Sequence, residues 1–193
     1  IYQLPIGVIG IAAGAVLLPE MSRRFAADDA PGALEAQNRT IALTIALSAP
    51  FFVAFLTIPD LIMAGVFQRG AFSAQAAQAS ARVLSAYGIG LLAVVLIRSA
   101  VASFQARGDT ITPMKIALGA VALNVALKIA LFEPLGAPGL ALATAVGAWL
   151  NVALLALFAI RRGDMRIQTF TIFVTIAAAI ASALLGLVAI QGR

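Results

Sequence analysis

The stretch VVLIRSAVASFQARGDTITPMK, residues 94–115, places an arginine inside an apolar run and ends in a polar turn that contains a proline. An arginine in hydrocarbon costs about 2.5–3.5 kcal/mol on insertion scales, so such residues usually face a polar cavity or a partner. Arg98 precedes Arg107 by nine residues, which is about 13 Å on the helical rise. Two interpretations stay open: Arg98 snorkels to the headgroups, or it faces a cavity and contacts an anion.

The composition around this stretch is that of a membrane protein. Of 193 residues, 62% are hydrophobic and 11% are charged, whereas soluble domains carry about 25% charged residues. The apolar runs have the length of helices that cross a bilayer, about 20 residues each. They lack the alternation of a β-barrel, and a lone strand leaves its backbone unsatisfied in lipid. The sequence therefore predicts an all-α integral membrane protein.

The hydropathy pattern predicts about six transmembrane helices, at residues 1–18, 41–62, 83–102, 116–131, 139–160 and 169–189. The chain begins with Ile1 rather than Met, almost inside the first apolar run, which is short. We interpret the sequence as a piece of a longer membrane protein with further helices.

Capping and breaking residues predict where helices begin and end. Pro19 and Glu20 predict the end of the first segment, and Asp29 with Pro31 predicts the start of a short surface helix. Ser73 is placed to cap a helix whose first turns are polar before it enters the bilayer.

Two glycines four residues apart, Gly10 and Gly14, form a GxxxG pair in the first segment. A phosphate-binding loop would need a strand before it and the start of a helix after it, and neither is present. The pair therefore predicts close packing against another helix.

The basic residues are unevenly divided between the two sides of the membrane. One side, formed by the connections after segments one, three and five, has eight basic residues: Arg23, Arg24, Arg39, Arg107, Lys115, Arg161, Arg162 and Arg166. The opposite side has three: Arg69, Arg82 and Arg193. The positive-inside rule predicts that the side with eight is cytoplasmic. The net charge of +5 is explained by this orientation, so we predict no nucleic-acid partner.

Several kinds of chemistry are excluded from this stretch. It has no cysteine and no histidine, which excludes Cys or His metal sites, thiol nucleophiles and Ser-His triads. No paired carboxylates lie within the spans, so nothing supports a proton relay of intramembrane acids. We predict no enzyme activity, no cofactor and no metal.

Six polar side chains are candidates for lining a substrate cavity: Arg98, Arg23, Arg24, Lys128, Asn124 and Asn151. Each has a structural alternative. Buried amides more often bond between helices than bind substrate, and a lysine near a helix end can snorkel to the interface. The arginine pair is either an orientation anchor or a site for the anionic headgroup of a lipid.

Four motifs in order resemble one family. FQARGDTITPMKIA (residues 104–117) is similar to the helix-to-loop signature of the MOP flippase and exporter superfamily, in the form found in the MurJ (MviN) lipid II flippases. LPIGVIGIAAGAVLLPEMSRRFA (4–26), PDLIMAGVFQRGAF (59–72) and GAPGLALATAVGAWLNVALL (136–155) resemble three further segments of that family.

The resemblance implies a helix bundle of the MOP flippase type with two pseudo-symmetric lobes. Residues 1–162 would form part of the C-terminal lobe, and residues 163–193 an additional C-terminal transmembrane helix. The implied activity is alternating-access transport of an undecaprenyl-diphosphate-linked peptidoglycan precursor, lipid II, across the bacterial inner membrane. The family tends to carry a basic residue at Arg98, lining a cationic central cavity. Membrane lipids, and other cell-wall synthesis or division proteins, are the further partners that it implies.

Two alternatives remain open from the sequence. One is a multidrug or polysaccharide-lipid exporter of the same superfamily, since the DTxTP element is shared with multidrug exporters. The other is a membrane scaffold or enzyme subunit that does not transport and uses these helices only for assembly.

Overall fold

The computed structural model describes residues 1–69, 72–164 and 177–178. In this part of the chain the structure is helical, with α1 (Gln3–Ala26), α2 (Ala30–Thr57), α3 (Pro59–Phe67), α4 (Ala74–Ala106), α5 (Ile111–Leu135) and α6 (Ala137–Arg161). All except α3 are long and apolar enough to cross a membrane. The predicted all-α membrane fold is confirmed, and the predicted helix at 169–189 lies outside the described residues apart from 177–178.

Helix α4 is the centre of the bundle and packs against α1, α2, α3 and α6. Its side chains Leu91 and Val95 are completely buried. Neighbouring helices approach α4 closely at two of its glycines, Gly88 and Gly90. A Cβ on Gly90 would lie 2.8 Å from the Cα of Ala145 in α6.

Helices α5 and α6 form an antiparallel hairpin, as the short connection between the fourth and fifth segments predicts. Gly136 makes the turn with φ +60° and ψ −138°, a conformation that side chains disfavour. A Cβ on Gly139 would lie 2.3 Å from the carbonyl oxygen of Leu131, so only a glycine fits at this close approach. Because α5 packs mainly on α6, its outer face is away from the centre of the bundle.

The predicted end of the first helix at Pro19 and Glu20 is wrong. Helix α1 continues through Pro19 to Ala26, after a π-helical turn at Ile6–Gly10. Leu17 and Met21, on either side of the proline, are both buried in one apolar cluster. Burial on both sides of Pro19 holds the helix together despite the missing backbone hydrogen bond.

The predicted short surface helix after Asp29 is also wrong, although its start signal is correct. The Asp29 carboxylate accepts a hydrogen bond from the Gly32 N–H at 2.9 Å, and the helix that it caps is the whole of α2. Gln37 and Asn38, which precede the predicted span at 41–62, are polar and yet buried inside the protein. The second span ends at Thr57 rather than in α3.

Ser73 caps α4 as predicted. Its hydroxyl oxygen accepts a hydrogen bond from the Ala76 N–H at 3.2 Å, and the helix begins at the next residue. This cap satisfies one of the free N–H groups at the start of the longest helix in the described part of the chain.

Candidate functional site

Arg98 lies on α4 beside a groove between α4 and α1. The groove has a volume of about 390 Å³, and Gly10, Gly14, Ala15 and Gln105 line it together with Arg98. The Arg98 side chain is exposed at this groove. Arg98 therefore lies on the surface of the bundle, within a helix that can span the membrane.

The glycine pair of α1 makes room for Arg98. A Cβ on Gly10 would lie 3.5 Å from Arg98 Cγ, and a Cβ on Gly14 would lie 3.8 Å from Arg98 Cβ. These are contact distances, so a larger side chain at either position would push α1 and α4 apart. The prediction that the pair packs against another helix is confirmed.

Arg98 has no hydrogen bond or ion pair with any of the residues that the structure describes. Arg98 lies eight positions before Ala106, the last residue of α4, which is about 12 Å on the helical rise. An unpaired guanidinium at that depth is costly in hydrocarbon, so it needs access to water, to the headgroups or to an anion.

Arg23 and Arg24 line a different and larger cavity, between the C-terminal end of α1 and the N-terminal part of α2. It has a volume of about 790 Å³ and also includes Glu20, Glu35 and Arg39. Ala15 of α1 lines both this cavity and the Arg98 groove, so the two are neighbours on one helix.

The arginine pair is held by acidic side chains. Arg24 donates to Glu20 at 2.7 Å and to Asp29 at 3.0 Å, which fixes the connection between α1 and α2. Arg23 donates to the other Glu20 oxygen at 2.5 Å and is largely exposed. This arrangement stabilises the turn and leaves Arg23 accessible from the cavity.

The other three candidates lie away from both cavities, on the α5–α6 hairpin. Asn124 packs against Gly147 of α6, where an added Cβ would lie 3.0 Å from the Asn124 amide nitrogen. Asn151 has a buried side-chain oxygen with no donor among the described residues. Lys128 is half-buried on α5. The structure thus divides the six candidates among three places.

Arg107 is the centre of a polar cluster that joins several helix ends. Its guanidinium donates to the carbonyl and the hydroxyl of Ser103, to Gln37 Oε1 at 3.3 Å and to the Asp164 carbonyl at 2.7 Å. It also lies 5.1 Å from the Phe25 ring centroid and 3.5 Å from an Asp164 carboxylate oxygen. Burial lowers the pKa of Arg107 from its usual value, and the Asp164 charge opposes that shift.

A second cluster adjoins the first and includes the start of α5. Asp109 accepts a hydrogen bond from the Thr112 N–H at 2.9 Å, and Arg162 donates to the same carboxylate and to the Thr112 hydroxyl. The hydrogen bond from the Thr112 N–H lowers the pKa of Asp109 most, and the hydrogen bond from Arg162 lowers it further, to well below its usual range. This accounts for the conformation of the RGDTIT segment without any ligand.

Arg107 and Arg39 have roles that the sequence did not predict. Their expected role was membrane orientation alone, whereas Arg107 joins helices and Arg39 lines the larger cavity. A signal for Arg39 was present, because Ala36, Thr40 and Leu43 follow helical spacing around it. The signal for Arg107 was the unusual density of polar residues at one helix end.

The chain is similar to proteins of one family. The family model for the lipid II flippase MurJ matches residues 1–193. A probable lipid II flippase MurJ of Rhizobium tropici is 42% identical over 165 residues, which are 86% of this chain and 31% of the relative. A probable lipid II flippase MurJ of Rhizobium meliloti (strain 1021) is 41% identical, over 96% of this chain and 35% of the relative.

A lipid II flippase MurJ of Burkholderia cenocepacia is 35% identical over 84% of this chain and 32% of the relative. The chain thus spans about a third of the length of the curated relatives that it matches. The solved structure of a lipid II flippase MurJ in an inward closed conformation superimposes with a TM-score of 0.82 and 23% identity, over 97% of this chain and 38% of that one. That likeness concerns the fold.

Proposed function

The chain belongs to the lipid II flippase MurJ family, and we propose that it forms part of a transporter that moves lipid II across the bacterial inner membrane by alternating access. The observation that carries the proposal is the family match over the whole chain. The unpaired Arg98 beside an open groove agrees with a transporter whose substrate is an anion.

Residues 1–162 form part of the C-terminal lobe in this proposal, and residues 163–193 form an additional C-terminal transmembrane helix. The packing of α1, α2, α3 and α6 around α4 supports placing these helices in one lobe, because a lobe that moves as one body needs one continuous core. The rest of the transporter lies in the parts of the relatives that this chain does not match.

Arg98 contacts the diphosphate of lipid II in this proposal. A cation in a low-dielectric cavity attracts an anion far more strongly than in water. A guanidinium can also grip two phosphate oxygens at once, which a lysine cannot. The place of Arg98 at a groove rather than within the packed core supports this role.

The remaining candidates have two kinds of proposed role. Arg23 adds positive charge near the cytoplasmic end of the path, because it is exposed at the larger cavity. The ion pairs of Arg24 support a role in holding the connection between α1 and α2. The contact of Asn124 with Gly147 supports a role in packing α5 against α6. Lys128 and Asn151 would contact substrate only in a conformation in which the α5–α6 hairpin meets the path.

Replacing Arg98 in the full-length protein tests the function. Arg98→Ala should weaken binding of lipid II by about tenfold or more, since hydrogen bonds to a charged group contribute about 1.5–3 kcal/mol. Arg98→Lys should be milder, and Arg98→Glu should be worst because it places like charges together. The measurements are complementation of a flippase-depleted strain and lipid II binding to the purified protein, each at matched abundance.

Arg161→Ala is the matched control. It removes an exposed cation at the end of α6 that lines neither cavity, and it should leave complementation unchanged. Full complementation and normal lipid II binding by Arg98→Ala would remove Arg98 from the site. Failure of the wild-type full-length protein to complement, at normal membrane abundance, would contradict the proposed function itself.

A further inference from the structure

The cavity at Arg23 and Arg39 continues into an apolar groove along α1 and α2. A second cavity of about 360 Å³ lies between the same two helices, further into the membrane. The two share Val16, Thr40 and Leu43, so they are two ends of one groove, the α1–α2 groove. One end is charged, and the other is lined almost entirely by apolar side chains.

The charged end has one arginine without an acidic partner among the residues that the structure describes. Three arginines and two glutamates line it, and Asp29 adds a third carboxylate beside Arg24. Arg24 is occupied by Glu20 and Asp29, and Arg23 by Glu20. Arg39 has no hydrogen bond or ion pair within the described part of the chain, and Glu35, one helical turn before it, does not pair with it. Arg39 is therefore available to an anion.

The length of the groove matches one leaflet of a bilayer. Its lining on α1 runs from Val8 to Arg23, which is about 22 Å on the helical rise. Half of a hydrocarbon core is about 15 Å, and the headgroup layer adds several ångströms. Arg39 stands two residues before Ile41, where the apolar part of α2 begins, and so lies at the level of the headgroups.

The apolar end is strongly exposed. Val8, Val16 and Leu47 are 72%, 66% and 58% exposed, so the groove has no cover within the described residues. Apolar surface beside an unpaired cation at the interface has the chemistry of a lipid site, in which the basic group attracts the headgroup and the apolar wall contacts the chains.

We propose that the α1–α2 groove binds one anionic phospholipid of the cytoplasmic leaflet. Its phosphate contacts Arg39, and its acyl chains lie along Val16, Leu43 and Leu47. The one arginine of the groove without an acidic partner among the described residues, Arg39, matches a singly charged headgroup such as that of phosphatidylglycerol. This site is distinct from the Arg98 groove, which opens between α1 and α4.

Native mass spectrometry of the full-length protein tests the site, with phosphatidylglycerol or phosphatidylcholine added to the detergent. The wild-type protein should retain one phosphatidylglycerol at concentrations at which phosphatidylcholine is lost. Arg39→Gln should require about fivefold more phosphatidylglycerol, because one basic residue near the surface contributes about 1 kcal/mol. Glu35→Gln should have the opposite effect, since it removes a carboxylate from the lining.

Two controls keep the result interpretable. Arg161→Gln removes an exposed cation at the end of α6, outside the groove, and should retain phosphatidylglycerol as the wild type does. Arg39→Lys keeps the charge and should stay within about twofold of the wild type. The melting temperature of each variant shows whether it is folded.

Three results would overturn the site. The first is equal retention of the two phospholipids, and the second is unchanged retention in folded Arg39→Gln and Glu35→Gln. The third is one-for-one displacement of phosphatidylglycerol by undecaprenyl diphosphate, which would assign the groove to the transported lipid. None of these measurements depends on transport, so the lipid site and the proposed function fail separately.

Discussion

At the scale of single residues, pairing separates the arginines by role. Arg24, Arg107 and Arg162 have acidic partners and hold helix ends together. Arg98 and Arg39 have none in the described part of the chain and line open grooves. The sequence places all of them near helix ends or inside spans, but pairing depends on which helices meet. Arg98 was predicted as a candidate because it lies inside a span, whereas the partners of Arg107 could not be predicted from the sequence.

Asp109 offers a test of these helix-end clusters. Asp109→Asn keeps an oxygen for the Thr112 N–H and loses the charge that holds Arg162, whereas Asp109→Ala loses both. We therefore expect both variants to melt at lower temperature than the wild type at pH 7, and Asp109→Ala to melt lowest. Thermal unfolding of the full-length protein in detergent is the measurement.

The pH dependence of the same variants follows from the pKa of Asp109. That pKa is lowered in the folded protein, so the carboxylate stabilises the fold above its unfolded pKa, about 3.9. The stabilisation is lost as the pH falls through the folded pKa. The difference between wild type and Asp109→Asn should thus be constant from pH 7 to pH 5 and shrink only below about pH 4. A difference that vanishes already at pH 6 would show that another group is responsible.

At the scale of helices, the spans were predictable and some ends were not. Hydropathy sums over many residues, so five of the predicted spans coincide with long helices. The end at Pro19 was wrong because burial of Leu17 and Met21 outweighs the local effect of a proline. The helix that starts after Asp29 was predicted too short because Gln37 is polar and yet faces Ser103 inside the protein.

Gly90 tests how closely helices must approach in this bundle. Gly90→Ala places a methyl group 2.8 Å from the Ala145 backbone of α6, and relief requires moving α4 or α6. We expect a loss of about 1–3 kcal/mol, the usual cost of overpacking a core. Gly119→Ala is the matched control, because an added Cβ on Gly119 of α5 meets nothing within 4 Å. It should be neutral or slightly stabilising, and equal melting of the two variants would contradict the packing described for α4.

At the scale of the whole molecule, the Arg107 cluster brings three connections to one side. Arg107, which follows α4, contacts both Phe25 near the end of α1 and Asp164 after α6. The sequence predicted that these connections share a side from their basic residues, and the contacts agree. Which side faces the cytoplasm rests on the charge bias alone and stays a prediction.

Cysteine labelling of the full-length protein in a cysteine-free background tests the orientation. The positive-inside rule places Ala27, in the connection after α1, in the cytoplasm and Gln75, at the start of α4, outside. Both side chains are exposed, and neither is the Ser73 cap, so a cysteine at either position should fold normally. In intact spheroplasts, an impermeant thiol reagent should label Gln75→Cys and spare Ala27→Cys, while a permeant reagent should label both. Labelling of Ala27→Cys alone by the impermeant reagent would reverse the orientation, and would move the Arg39 lipid site to the outer leaflet.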